Sequence, residues 1–296
     1  MTKTKKKKKI TLFDFINVTA MIIVGLVMLL PVLNLAAKAF SSEGNVIAGK
    51  VMFWPNDFQL ETVKYVLTTP EFGTSFGVTC IVTVAGTLGA MFLTVMAAYP
   101  LSKPALRGRK FFLYIFVFIM LFSAGMVPNY ILFRTLHLTN TIFALIFSGM
   151  LSSFNVFLVK NYFESLPEVI EEAARIDGAS NMRIFFSVVL PMSLPVLATV
   201  TLFYAVSYWS NYFSGVMYIT DASLKPLQQY MFDLITQATS LQDTSGNFGD
   251  VNQAMNVSGE NIRAATIVVS TIPILLVYPF LQKYFVKGIT VGSVKG

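Results

Sequence analysis

The chain has 296 residues, of which 12% are Asp, Glu, Lys or Arg and 55% are hydrophobic, with a formal net charge of +7. A soluble domain is about a quarter charged, so a water-soluble protein of this size could not cover its surface with these residues. Six of the first nine residues are lysine, and long stretches elsewhere carry no charge at all. Composition therefore places the chain in a membrane.

In chain order the uncharged runs are 15–37, 72–101, 111–133, 138–159, 184–220 and 264–282. Each reaches the roughly 20 residues a helix needs to cross about 30 Å of hydrocarbon, and all are far longer than barrel strands. The expectation is an all-α integral membrane protein with six transmembrane helices, the fifth trimmed to 190–216. The second and fifth runs exceed a straight span, so part of each should lie outside the hydrocarbon or be broken by Pro and Gly. Around the spans lie a basic tail at 1–13, a membrane domain over 14–283, a loop at 163–190, another at 221–263, and a tail at 284–296.

Sixteen Lys and Arg fall on the side holding both termini and the loops after the second and fourth spans, against six on the other. The basic side is expected to be cytoplasmic. Acidic residues divide six and nine, giving +10 inside and −3 outside, a balance that suits anionic lipid and gives no reason to invoke nucleic acid. A lysine-rich start before an apolar run also resembles a secretory signal, with a small-residue site at Ala37 and Ala39. The run is too long for a signal core, and retention is the expectation.

Several chemistries are excluded. The only histidine, His137, rules out a multi-histidine metal site or paired haem ligation. No Asp or Glu lies in the six runs, which speaks against proton coupling at membrane depth. Lone Cys80 cannot form an internal disulfide. Gly44, Gly49 and Lys50 match phosphate-loop spacing, but Val51 replaces the magnesium-binding hydroxyl, and the match reads as chance.

One cytoplasmic segment carries a pattern. Ser165 with Glu168 reads as a capping box, Pro167 suits a first turn, and Gly178 suits the turn after a helix over 166–177. Glu171 is expected to pair with Arg175 one turn on. A second helix begins near Ser180 or Asn181. Glu172, Ala173 and Ala174, then Gly178 four residues on, then Leu190 and Pro191 twelve residues after that glycine, resemble the "EAA" signature of ABC importer membrane subunits. Val188 stands where the family usually has Ile. AAYPLSKPALRGRK (97–110), SYWSNYF (207–213) and YFVKGITVGSVKG (284–296) look like segments of carbohydrate-uptake permeases similar to the maltose-type second subunit, with Ser210 inserted before Asn211.

That resemblance implies a type I importer permease fold and alternating access. Glu171, Glu172, Ala173, Ala174, Asp177, Gly178, Leu190 and Pro191 would couple the chain to a separate ATPase. No cofactor is expected on this chain, since ATP and magnesium belong to two partner ATP-binding subunits. The other partners implied are a second homologous permease subunit, an extracellular or periplasmic solute-binding protein and an oligosaccharide or polysaccharide fragment. No catalytic or metal-binding residue is expected. A sugar path needs flat apolar faces and neutral hydrogen-bonding groups. Tyr204, Tyr208, Trp209, Asn211 and Tyr212 supply both in one stretch, with Asn129 and Asn155 from other spans, although an aromatic belt at the bilayer surface would use the same residues. A permease for another solute such as amino acids, or a membrane sensor or scaffold, are the alternatives. The 221–263 loop resembles the family segment that meets the binding protein, with disorder the bland reading of 239–258.

Overall fold

The computed structural model describes residues 12–244 and 259–292, and all regular structure among them is helical. In chain order these are α1 (Leu12–Ala39), α2 (Glu43–Ile47), α3 (Glu61–Thr68), α4 (Pro70–Ser102), α5 (Arg109–Leu121), α6 (Met126–Thr135), α7 (Ile142–Phe147) and α8 (Ser153–Glu164). Then come α9 (Glu168–Ile176), α10 (Asn181–Ile184), a π-helical turn (Phe185–Val189), α11 (Leu190–Met192), α12 (Leu194–Trp209) and α13 (Phe213–Tyr218). A 3-10 turn (Ala222–Leu224), α14 (Leu227–Thr244) and α15 (Gly259–Gly292) complete the order.

Among the described residues, α1 and α4 are individually long and apolar enough to cross a membrane. The third and fourth spans expected from the sequence are corrected to broken ones, and the fifth, for which a break at Pro or Gly was one of the expectations, is bent. α5 and α6 meet at 113°, where Phe122 turns extended and Gly125 adopts φ +85°. The fourth run splits into α7 and α8, the latter capped by Ser152, whose Oγ accepts from Asn155 N at 3.4 Å. The fifth bends by 78° at Ser193, between Pro191 and Pro195. Pro195 has no N–H to donate and its ring crowds the carbonyl four residues back, so a kink here has a covalent cause. Two loop boundaries also move. The expected tail 284–296 is helical as far as Gly292, and the 221–263 segment holds the 3-10 turn, α14 and the start of α15. Most of the basic tail, and residues 245–258 of the loop for which disorder was weighed, lie outside the described residues.

The chain divides into two compact units. The first joins the residues up to Leu67 with Leu234–Ser270. Here α1 exposes its apolar residues from Leu12 to Leu33, a surface that suits hydrocarbon. Beyond it the chain is knitted by polar side chains. Asn34 Nδ2 donates to Met52 O at 2.6 Å, Asn56 N donates to Ser41 Oγ at 3.0 Å, and Ser41 O accepts from Gln59 Nε2 at 3.1 Å and Asn261 Nδ2 at 3.0 Å. Gly44 lies within α2, not in a loop ahead of a helix, so the phosphate-loop spacing there has no matching structure.

The second unit is Thr68–Asp233 with the residues from Thr271 onward. Its centre is α4, packed against α12 and α8. Small residues on α4, Gly86, Ala90 and Ala98, are buried there and let helices approach closely, as membrane interfaces require. Val156 and Val159 of α8 and Val200 of α12 fill the remainder.

Candidate functional site

The helix carrying the alanine pair is α9. It starts two residues later than the sequence suggested, because Pro167 occupies the position before Glu168 without a side-chain cap. The expected capping box is not formed. Ser165 instead closes α8, its Oγ donating to Tyr162 O at 2.7 Å. At the other end Gly178 adopts φ +81°, and its N–H donates to Arg175 O at 3.0 Å while Ala179 N donates to Ala174 O at 3.0 Å. This is the left-handed helix end that glycine favours. Ser180 Oγ then accepts from Arg183 N at 3.4 Å and opens α10, as expected.

No residue of α9 is buried. Val169 and Ile176 are 73% and 86% exposed, and Glu172 and Ala173 are exposed between them. Positions seven apart with a pair midway share one helical face. α9 therefore presents an apolar stripe with one carboxylate, which nothing in the described chain covers. Glu171 and Ala174 face the other way, Ala174 packing on the core. The expected Glu171–Arg175 pair is replaced by a tertiary one: Lys103 Nζ donates to both carboxylate oxygens of Glu171 at 2.5 Å. Asp177 ends the helix, its N–H donating to Ala173 O at 3.0 Å. Leu190 is half-buried and packs on the core, whereas Pro191 is exposed. The sequence reading missed Val169, Ile176 and Lys103. The first and second were legible as large apolar residues seven apart on one face of the helix, but Lys103 lies 68 residues from its partner.

The aromatic stretch is less uniform than its sequence. Tyr204 and Tyr208 are 2% and 4% exposed. Tyr204 Oη lies 2.7 Å from Thr94 Oγ1 and accepts from Ser152 N at 3.1 Å. Tyr208 Oη donates to Ile146 O at 2.7 Å. Both rings are internal struts between α4, α12 and the α7–α8 connection, a role that is neither a bilayer belt nor an open sugar face. Tyr212 does not share their helical face, because α12 ends at Trp209. Its ring sits 4.6 Å from that of Phe232.

Trp209 packs edge-on against Phe76 at 5.8 Å, and its buried indole Nε1 has no hydrogen-bond partner among the described residues. Asn211 caps α13, its Oδ1 accepting from Ser214 N at 3.0 Å and its Nδ2 donating to Ser214 Oγ at 2.9 Å. Asn155 is buried at the start of α8 and Asn129 is exposed on α6. Trp209, Asn211 and Tyr212 are thus brought together at the end of α12, while Asn129 and Asn155 sit on other helices.

The comparisons with known proteins agree with the α9 signature. Residues 90–291 match the family described as binding-protein-dependent transport system inner membrane component. The chain belongs to that family. It is 41% identical over 284 residues to Protein LplC of Bacillus subtilis, covering 96% of this chain and 95% of that one. The polygalacturonan/rhamnogalacturonan transport system permease protein YtcP of the same organism is 38% identical over 285 residues, covering 96% and 99%. Among solved structures, a chain of a bacterial ABC transporter involved in import of the acidic polysaccharide alginate superposes with a TM-score of 0.84 at 34% identity, over 95% of this chain and 99% of that one. This member of the transport family therefore has the type I importer permease fold.

Proposed function

We propose that this chain is the permease subunit of an ATP-driven ABC importer for oligosaccharides or polysaccharide fragments. The observation that carries the reading is the α9 stripe of Val169, Glu172, Ala173 and Ile176, capped by left-handed Gly178 and left uncovered. An amphipathic helix with exposed large apolar residues outside the hydrocarbon needs a partner surface. Docking in a groove on a separate ATP-hydrolysing subunit supplies one, and ATP with magnesium would be bound there. The chain would span the membrane six times with both termini cytoplasmic, paired with a second permease subunit and supplied by a solute-binding protein.

Carbohydrate is favoured as cargo by the relatives that transport polygalacturonan, rhamnogalacturonan or alginate. The end of α12 supports the same class. Trp209 offers an unspent indole donor, and a buried donor without a partner is costly unless a ligand or water satisfies it. Asn211 and Tyr212 add an amide and a phenol next to it in the chain. Tyr204 and Tyr208 precede this stretch on α12 as buried packing residues.

Affinity purification of the tagged chain from membranes, followed by mass spectrometry, tests the assembly. A second permease, an ATPase and a sugar-type binding protein should co-purify. Recovery with no ATPase would refute the reading.

A further inference from the structure

α9 has no buried residue of its own. Beside it lies a cavity of about 400 Å³ whose lining includes Ser102, Lys103, Arg109, Glu164, Glu171 and Arg175. A helix pushed from outside can yield into such a space unless something stiff resists. Among the described residues, the ion pair that α9 makes is Lys103–Glu171. The carboxylate side chain is only 13% exposed and receives the ammonium on both oxygens. Charge-assisted bonds shielded from water are stronger and less screened than surface pairs.

The lysine end is anchored as well. Lys103 follows the last turn of α4, and its Nζ lies 4.9 Å from the centre of the Tyr99 ring, within reach of a cation–π attraction. Tyr99 in turn packs at 4.5 Å on Phe185 of the π-helical turn and edge-on at 6.1 Å against Phe163 of α8. A second ion pair, Arg109 with Glu164, walls the same cavity, and Glu164 is also bonded by Lys160. α9 is joined covalently at both ends, through Pro167 to α8 and through Gly178 to α10, and Ala174 packs on the core. A further, ionic route runs through Lys103 directly into α4, the helix at the centre of the core.

We propose that Lys103 is a positioning residue for energy coupling: its ion pair with Glu171 ties α9 to the end of α4, so that displacement of α9 moves α4 instead of collapsing the cavity. The inference rests on the docking of α9 on an ATPase. It adds that the docking helix must pull on α4 as well as on α10 to α12.

The test uses the whole reconstituted importer with its binding protein, measuring sugar uptake and ATP hydrolysis together. Lys103→Met keeps the apolar stem over Tyr99 and removes the charge. Sugar moved per ATP should fall about tenfold, the scale of losing one charge-assisted bond. Lys103→Arg should retain at least half the wild-type ratio, and the double exchange Lys103→Glu with Glu171→Lys should exceed either single variant. An unchanged ratio in Lys103→Met would overturn the proposal, as would a double exchange no better than the singles. If Lys103→Met fails to assemble, the double exchange decides alone: recovery of assembly and ratio supports the tie, and no recovery refutes it. Failure of the underlying docking shows differently, as an ATPase that still binds when Val169 and Ile176 are both changed to Asp.

Discussion

Gly86 of α4 lies directly against the ring of Tyr208: a Cβ at that glycine would stand 2.6 Å from Tyr208 Cζ and 2.7 Å from Cε1. Gly149 also abuts it, with its Cβ position 3.3 Å from the same ring. The phenol touches both glycines and donates its hydroxyl proton to Ile146 O. Gly86→Ala must displace a large, hydrogen-bonded ring and should destabilise the protein by about 1–3 kcal/mol, the usual cost of overpacking. Gly77→Ala in the same helix meets nothing within 4 Å and should be neutral or slightly stabilising. Thermal unfolding in detergent distinguishes the two, and equal behaviour would contradict the packing described.

Gly178 has a different constraint. No atom lies within 4 Å of its would-be Cβ, yet its φ is +81°. Gly178→Val should therefore fail through backbone strain, misdirecting α9 and abolishing coupled transport, whereas Gly178→Asn, which tolerates the left-handed region, should keep much of it. Transport measured beside ATP hydrolysis checks this. Equal loss in both variants would point to a direct contact at position 178.

Local chemistry made α9, the Gly178 turn and the Ser180 cap legible, because each is decided within a few residues. Ser165 misled because a serine three residues before a glutamate also suits the end of the preceding helix, and the α8 terminus claimed it. The roles of Tyr204 and Tyr208 were hidden for another reason. A tyrosine in an apolar helix reads alike whether it meets sugar, headgroups or protein, and their partners Thr94, Ser152 and Ile146 lie 110, 52 and 62 residues away. Trp209 was legible as an aromatic, but its unspent donor was not. The break at Gly125 was equally hidden, since hydropathy counts apolar residues without registering where a helix bends, whereas the excess length and prolines of the fifth run made a break there one of the expectations.

The basic asymmetry predicts the orientation. In intact cells a cysteine replacing Lys225 should react with an impermeant maleimide, and one replacing Lys110 should react only after permeabilisation, in a background with Cys80 changed to Ala. The reverse pattern would invert the topology.

The role of Trp209 separates sugar contact from packing. Trp209→Phe keeps a ring against Phe76 and removes the indole donor. It should lower sugar uptake about tenfold, the scale of one lost hydrogen bond to a buried group, with little effect on thermal stability. A lowered melting temperature with unchanged uptake per assembled complex would make Trp209 a packing residue.

The most direct measurement is accumulation of a labelled oligosaccharide in proteoliposomes holding this chain with its second permease and ATPase subunits, with loaded binding protein on the outer side. An acidic oligosaccharide such as oligogalacturonate is the first substrate to offer. It should accumulate only when ATP and binding protein are both present, and should stop accumulating when Glu172→Lys reverses the charge on the α9 stripe. Uptake without ATP, or ATP-driven uptake of an amino acid with no carbohydrate transported, would contradict the assignment of this permease to oligosaccharide import.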